Sequence, residues 1–130
     1  MFDKKAQLTP KTMESHFTFD NTPMLQLNID SFVVDLKNNW VEKRINDTIE
    51  KPTNMFLAHA LNELYPAAVK DYKARQDEDF PFNGYGAALS FQHTYNDNCY
   101  LSFFYDNYQF TGGAHGITTR KSNTLNLKSC

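Results

Sequence analysis

One histidine in this chain sits on a segment built for unusual backbone geometry. His115 lies within Thr111-Gly112-Gly113-Ala114-His115-Gly116, where three of five consecutive positions are glycine. An imidazole titrates near neutral pH, so the chemistry open to it is that of a general base or a metal ligand. Either role needs a second group, a carboxylate to orient the ring or further ligands to share an ion, and the neighbouring residues offer neither. Asp106 lies across the expected hairpin, but the register derived below turns it to the core side. Glycines at a bend also cradle phosphate, yet such a loop leads through Lys-Ser/Thr into a helix, and these glycines lead into a strand. The expectation is a bend set by conformational need, with His115 steadying the turn or touching a partner.

The remaining chemistry-bearing residues are dispersed. His16 and His93 fall on expected strands and His59 on an expected helix, with no spacing that joins two imidazoles, so each reads as a surface or hydrogen-bonded residue. Asp77, Glu78 and Asp79 lack the alternating oxygen ligands around a glycine that a calcium loop uses. Asn46-Asp47-Thr48 fits a glycosylation sequon but falls within an expected helix and reads as a chance match. Cys99 and Cys130 have neither CxxC spacing nor a histidine beside them, which leaves zinc unsupported. A lone disulfide and two free thiols both stay open. No catalytic set, metal site or resident cofactor is implied.

Composition narrows the function classes further. A chain of 130 residues suits one domain with one core. Thirteen Lys and Arg against fifteen Asp and Glu leave no cationic excess for phosphate-backbone binding, which argues against nucleic acid. Seven Tyr and eleven Phe within a 41% hydrophobic composition supply enough apolar surface to fold. Apolar runs are far shorter than the roughly 20 residues a membrane span needs. The N-terminus lacks the apolar region of a leader, so the chain is either cytoplasmic or shown without its targeting sequence.

The elements that must position these residues follow from periodicity. Residues 1–14, with Thr9-Pro10 and few apolar side chains, read as an irregular lead-in, and residues 15–130 as one α+β domain. Phe17 and Phe19 alternate with polar residues in a first strand, and Leu25, Leu27 and Ile29 in a second that continues to Leu36 with a bend near Asp30-Ser31. Val41, Ile45 and Ile49 mark a helix face that Lys51-Pro52 should end. Leu57, Leu61, Leu64, Ala68 and Tyr72 mark a second helix, interrupted at Pro66. The last third reads as an antiparallel meander over residues 87–95, 99–110 and 117–128. The predicted architecture is an antiparallel sheet of about five strands with two helices on one face.

With Asp97-Asn98 and Gly113-Ala114 as two-residue turns, Phe91 lies opposite Phe104, Tyr95 opposite Tyr100, and Leu127 opposite Tyr100. The other face then carries polar residues around a strip of Leu101, Phe103 and Tyr105. Such a strip is either covered by neighbouring chain or offered to a partner. The same register sets Cys99 opposite Lys128 with Cys130 on the diagonal, about 7–8 Å away, at the edge of the ~7 Å disulfide limit. A bridge is expected only in an oxidising compartment.

The Tyr108-Gln109-Phe110-Thr111-Gly112-Gly113-Ala114-His115-Gly116 stretch, followed by Ser122-Asn123-Thr124-Leu125-Asn126-Leu127, resembles a bacterial envelope domain of unknown function. That domain precedes the catalytic region of peptidoglycan deacetylases in Gram-positive bacteria and forms the lysozyme-sensing part of the sigma-V anti-sigma factor. Only Thr-Gly-Gly-Ala-His-Gly is specific; the earlier strands and helical middle match in pattern. Phe110 replaces a frequent Tyr, and Cys130 stands where a turn glycine is usual. In relatives the chain continues into a further strand and a second subdomain, so the resemblance implies the N-terminal half of a larger unit. It also implies an extracytoplasmic binding or sensing module whose partner is a cell-wall glycan or a lysozyme-like protein, and it carries over no catalytic residue. The candidate contacts are Leu101, Phe103, Tyr105, Thr111, Gly112, Gly113, His115 and Gly116. A peptidoglycan-modifying enzyme using His115 and a structural domain that positions a neighbouring enzyme are the competing readings.

Overall fold

The structure, a computed structural model, describes residues 6–113 and 115–127. Its strands β1 (Gln7–Phe19), β2 (Thr22–Asp35), β3 (Tyr85–Asn96), β4 (Tyr100–Phe110) and β5 (Ile117–Asn126) form one sheet in sequence order. Asp20 and Asn21 join β1 to β2 with φ of 54° and 59°, the left-handed geometry that matches a two-residue turn to strand twist. Residues 7–14, expected as an irregular lead-in, are the first part of β1 and pair with residues 28–35 of β2. That stretch exposes nearly all its side chains, so no alternation of polar and apolar residues marks it as a strand.

The expected all-antiparallel sheet with two helices is corrected on both counts. β2 runs parallel to β3 over residues 25–30 and 85–90, because a helical crossover between them returns the chain to the end where β2 began. The crossover is one helix: α1 (Asn39–His59), a π-helical turn (Ala60–Leu64) and α2 (Tyr65–Asp77) follow without a break. Asn38 starts it, its Oδ1 accepting the N–H groups of Trp40 and Val41 at 3.0 and 3.1 Å. Pro52 lies inside α1 between buried Ile49 and Phe56. A mid-helix proline costs about 3 kcal/mol, which the burial of those two side chains, at roughly 1.5–3 kcal/mol each, offsets.

Pro66 is accommodated differently. Its ring would press on the carbonyl four residues back, and the π turn widens the helix just before it, with the Tyr65 N–H donating to the Ala60 carbonyl five residues away. A repeat of four drifts about 40° per step around a helix of 3.6 residues per turn. The wider turn corrects that drift and keeps Ala60, Leu64 and Ala68 buried. Asp79, at φ 59°, ends the helix: the Phe80 and Asp79 N–H groups donate to the Arg75 and Gln76 carbonyls at 2.8 and 3.3 Å, a glycine-type stop carried by aspartate.

The helix packs on one face of the sheet. Val41, Ile45, Ile49 and Phe56 close the core against Leu25, Leu27, Ile29, Ala87, Leu89, Phe91, Leu101 and Phe103. The expected partition of the meander fails in β4 and at the end of β3. Asp97 N–H donates to the Tyr100 carbonyl at 3.1 Å, so the turn residues are Asn98 and Cys99, and Tyr95 lies opposite Ser102. The register then shifts between His93 and Tyr95, leaving Thr94 as an extra residue, and Phe91 meets Tyr105 instead of Phe104. With a side-chain period of two, one extra residue exchanges the faces of a strand. Leu101 and Phe103 therefore turn inward, at 0% and 1% exposure. Phe104 turns outward beneath the Arg120 guanidinium, 4.0 Å from its ring centroid. The β4–β5 ladder is one residue off the expected pairing too, with Tyr100 opposite Asn126 and Asp106 opposite Arg120.

Past Asp30, β2 leaves β3 and its free backbone is met by the helix. The Asn46 side chain accepts the Val34 N–H through Oδ1 at 2.8 Å and donates through Nδ2 to the Val34 carbonyl at 2.9 Å. Glu42 Oε1 accepts the Leu36 N–H at 2.9 Å. A side-chain amide thus does what a neighbouring strand would do. Asn46→Ala is expected to cost about 1–3 kcal/mol, since it strands two part-buried backbone groups. Urea denaturation of the variant beside the parent checks this, and an unchanged midpoint would refute the assigned role.

Candidate ligand trough at the glycine bend

The β4–β5 ladder ends at Gln109 opposite Ile117, so residues 110–116 make the bend; Ala114 lies outside the described residues. Two glycines there are demanded by geometry. Gly112 has φ +84°, and a Cβ on it would sit 3.7 Å from Tyr85 Cε1 and 3.8 Å from Asp71 Oδ2. A Cβ on Gly116 would fall 2.2 Å from Tyr108 Cε1, because the Tyr108 ring lies across the Gly116 backbone. Gly113 has open space around it, and Thr111 is exposed.

The bend rests on the end of the helix. Asp71 accepts from Arg75 Nε at 2.9 Å and from the Tyr85 hydroxyl at 3.4 Å, and Arg75 also donates to the Pro81 carbonyl at 3.2 Å. Burial first, and then the Asp71 charge, raise the Tyr85 hydroxyl above its ordinary pKa. It therefore stays protonated and able to donate.

His115 is exposed, and among the described residues no carboxylate pairs with it. Asp106, expected on the core side, faces outward and holds Arg120 at 2.7 and 2.9 Å, a bidentate pair that pulls its pKa below the usual carboxylate value. Leu101 and Phe103 are core residues. Tyr105 is partly buried with its ring centroid 5.0 Å from that of Phe91. Cys99 lies in the β3–β4 turn, its carbonyl accepting the Leu127 N–H at 2.8 Å; Cys130, and with it the bridge geometry, lies outside the described residues.

The corrected register assembles a feature on the outer face that sequence reasoning missed. Gln26, Gly86 and Phe110 form one cross-strand row, and Asn28, Ala88 and Tyr108 form the next. Each row runs amide, small residue, aromatic ring. The small pair makes the floor of an open trough of about 360 Å³, with Asn83 and Gly84 at its end. Among the residues lining it, none carries a formal charge at neutral pH. The trough offers amide donors and acceptors on one wall and ring faces on the other. The run of small residues Gly86-Ala87-Ala88 near the start of β3 was its signal in the sequence.

Because the Tyr108 ring occupies the space beside Gly116, Gly116→Ala must displace that ring. Gly116→Ala is expected to destabilise the parent but to cost little in a Tyr108→Ala background. A double-mutant cycle on denaturation midpoints measures the coupling, and additive effects would show that the contact does not constrain the bend.

The chain is similar to a known family and to known structures. The family model of deacetylase PdaC matches residues 20–118. A member of the DUF3298 family from Bacteroides fragilis NCTC 9343 has a similar structure, with a TM-score of 0.72 and 13% identity, covering 97% of this chain and 58% of that one. A DUF3298 family protein from Pseudomonas aeruginosa PAO1 aligns more loosely, with a TM-score of 0.46 and 19% identity, covering 92% of this chain and 50% of that one. The chain thus spans little more than half the length of the solved structures it matches, and at 13% identity the first likeness shows a shared fold. No curated protein matches its sequence. Since the family match extends over β2, the whole helix, β3, β4 and the glycine bend, the chain belongs to the deacetylase PdaC family.

Proposed function

We propose that this chain is a non-catalytic, extracytoplasmic accessory module of a cell-envelope protein, and that its outer trough holds a neutral, N-acetylated cell-wall saccharide. The observation that carries the reading is the pair of rows that set Gln26 and Asn28 against Phe110 and Tyr108 across Gly86 and Ala88. A sugar presents hydroxyl and amide groups along its edge and C–H groups on its faces. Side-chain amides serve the edge, and a tyrosine ring exposed at 39% serves a face. An uncharged lining suits an uncharged ligand, since no ionic group is desolvated when it enters.

The family supports the choice of ligand, because a deacetylase acts on acetylated substrates and an accessory domain beside one gains from holding the same polymer. The trough also lacks an imidazole, carboxylate or amine poised for acid–base chemistry, which favours binding over turnover. In this reading the bend glycines seat Tyr108, and His115 takes no part.

Titration calorimetry with a tetramer of N-acetylglucosamine tests the proposal. Tyr108→Ala is expected to weaken binding about 5-fold, an aromatic contact being worth about 1 kcal/mol, while His115→Ala leaves it unchanged. Removing the acetyl groups from the tetramer is expected to weaken it as well. Absence of binding, or binding indifferent to Tyr108, would defeat the reading, and so would capture of lysozyme instead of glycan. An oxidising location further implies a Cys99–Cys130 bridge. Mass spectrometry of an unreduced digest is expected to show the two peptides linked, and two alkylatable thiols in protein from the native compartment would contradict it.

A further inference from the structure

The helix face of the sheet carries a second cleft of different chemistry, about 380 Å³ in volume. Its helix wall includes Met55, Phe56 and His59, and its strand wall includes Tyr105, Asn107 and Lys121. It exists because the helix crosses the sheet obliquely. At its start Arg44 donates to the Asn126 carbonyl at the end of β5, at 2.7 Å; further on, Tyr65 donates to the Thr18 carbonyl at the end of β1, at 2.8 Å. The inward face of β4 changes accordingly, from Leu101 and Phe103 under the helix to Tyr105, Asn107 and Gln109 beside it.

Two polar groups in this cleft, Asn107 and Lys121, lack a partner among the described residues. Asn107 Oδ1 is buried and accepts no hydrogen bond among the described residues, an arrangement that costs about 1–3 kcal/mol unless a donor arrives. Lys121 stands opposite Tyr105 and has no ion pair among the described residues. His59 Nδ1 is held 2.7 Å from Glu63 Oε2 one turn along the helix, which leaves Nε2 as its other polar atom. Met55, 64% exposed, Phe56 and the Tyr105 ring add an apolar floor.

We propose that this cleft binds a short peptide ending in a free carboxylate: the Asn107 side chain turns into the cleft so that its Oδ1 accepts a backbone N–H of the ligand, the carboxylate meets Lys121, and a small apolar side chain rests against Met55 and Tyr105. Asn107 and Lys121 are diagonal neighbours on paired strands, about 7–8 Å apart at the backbone. That is the reach of two extended residues. The site lies on the opposite face of the sheet from the trough, so it stands or falls separately from the saccharide reading.

The probe is N-acetyl-dialanine with a free C-terminus, titrated into the full chain and followed by amide chemical shifts. Shifts are expected at Asn107, Thr119 and Lys121, with at least 10-fold weaker binding of the C-terminal carboxamide and a similar loss in Lys121→Gln. Lys121 is exposed, so that variant keeps the fold, and its parent-like spectrum is the control. Equal binding of acid and amide, binding unaffected by Lys121→Gln, shifts confined to residues outside the cleft, or no shifts at millimolar peptide would each overturn the proposal.

Discussion

The helix is continuous from the Asn38 cap to the left-handed Asp79, and that continuity governs both faces of the sheet. A break at either proline would have allowed two short helices to cover the inward face side by side. A single rod cannot do so. It crosses on a diagonal, covering Leu101 and Phe103 at one corner and the β1–β2 hairpin at the other, and it leaves an inward-facing stretch of β4 and β5 beside it. The same rod returns the chain so that β3 must run parallel to β2. The parallel pairing then aligns Gln26 with Gly86 and Asn28 with Ala88, which is the geometry of the trough.

Much of this was legible in the chain. The alternation of Leu25, Leu27 and Ile29 marked β2, the aromatic strands marked the meander, and the glycines marked the bend. The rest was hidden for identifiable reasons. Most of β1 is exposed on both faces, so its period-two signal is absent. The helix reads as two because proline is a strong local breaker, whereas the burial of Ile49 and Phe56 around Pro52 and the widened turn before Pro66 are tertiary effects. Hydrophobicity alone could not reveal the trough, because its floor is made by small side chains whose significance depends on their neighbours in the next strands.

Thr94 decides which side chains of β4 face outward. The turn at Asn98-Cys99 preserves the parity of the expected pairing, and the extra residue a few positions later reverses it. Of a strip that reads as either covered by neighbouring chain or offered to a partner, Leu101 and Phe103 are core and Tyr105 is partly buried, and Tyr108 and Phe110 become the wall of a site. Of the residues singled out from sequence, the bend glycines keep a structural role and Tyr105 moves to the edge of the inward cleft. His59, read from sequence only as a surface or hydrogen-bonded residue, pairs with Glu63 four residues on, a spacing that places both on one helix face.

Asn46 also bears on how the chain can be chemically modified. The nitrogen to which a glycan would be attached in Asn46-Asp47-Thr48 is the one that donates to the Val34 carbonyl. In the folded domain that nitrogen is occupied, and a sugar joined to it beforehand would have to be accommodated between helix and strand. A sugar on Asn46 would therefore compete directly with the side-chain bridge that ties the free stretch of β2 to the helix.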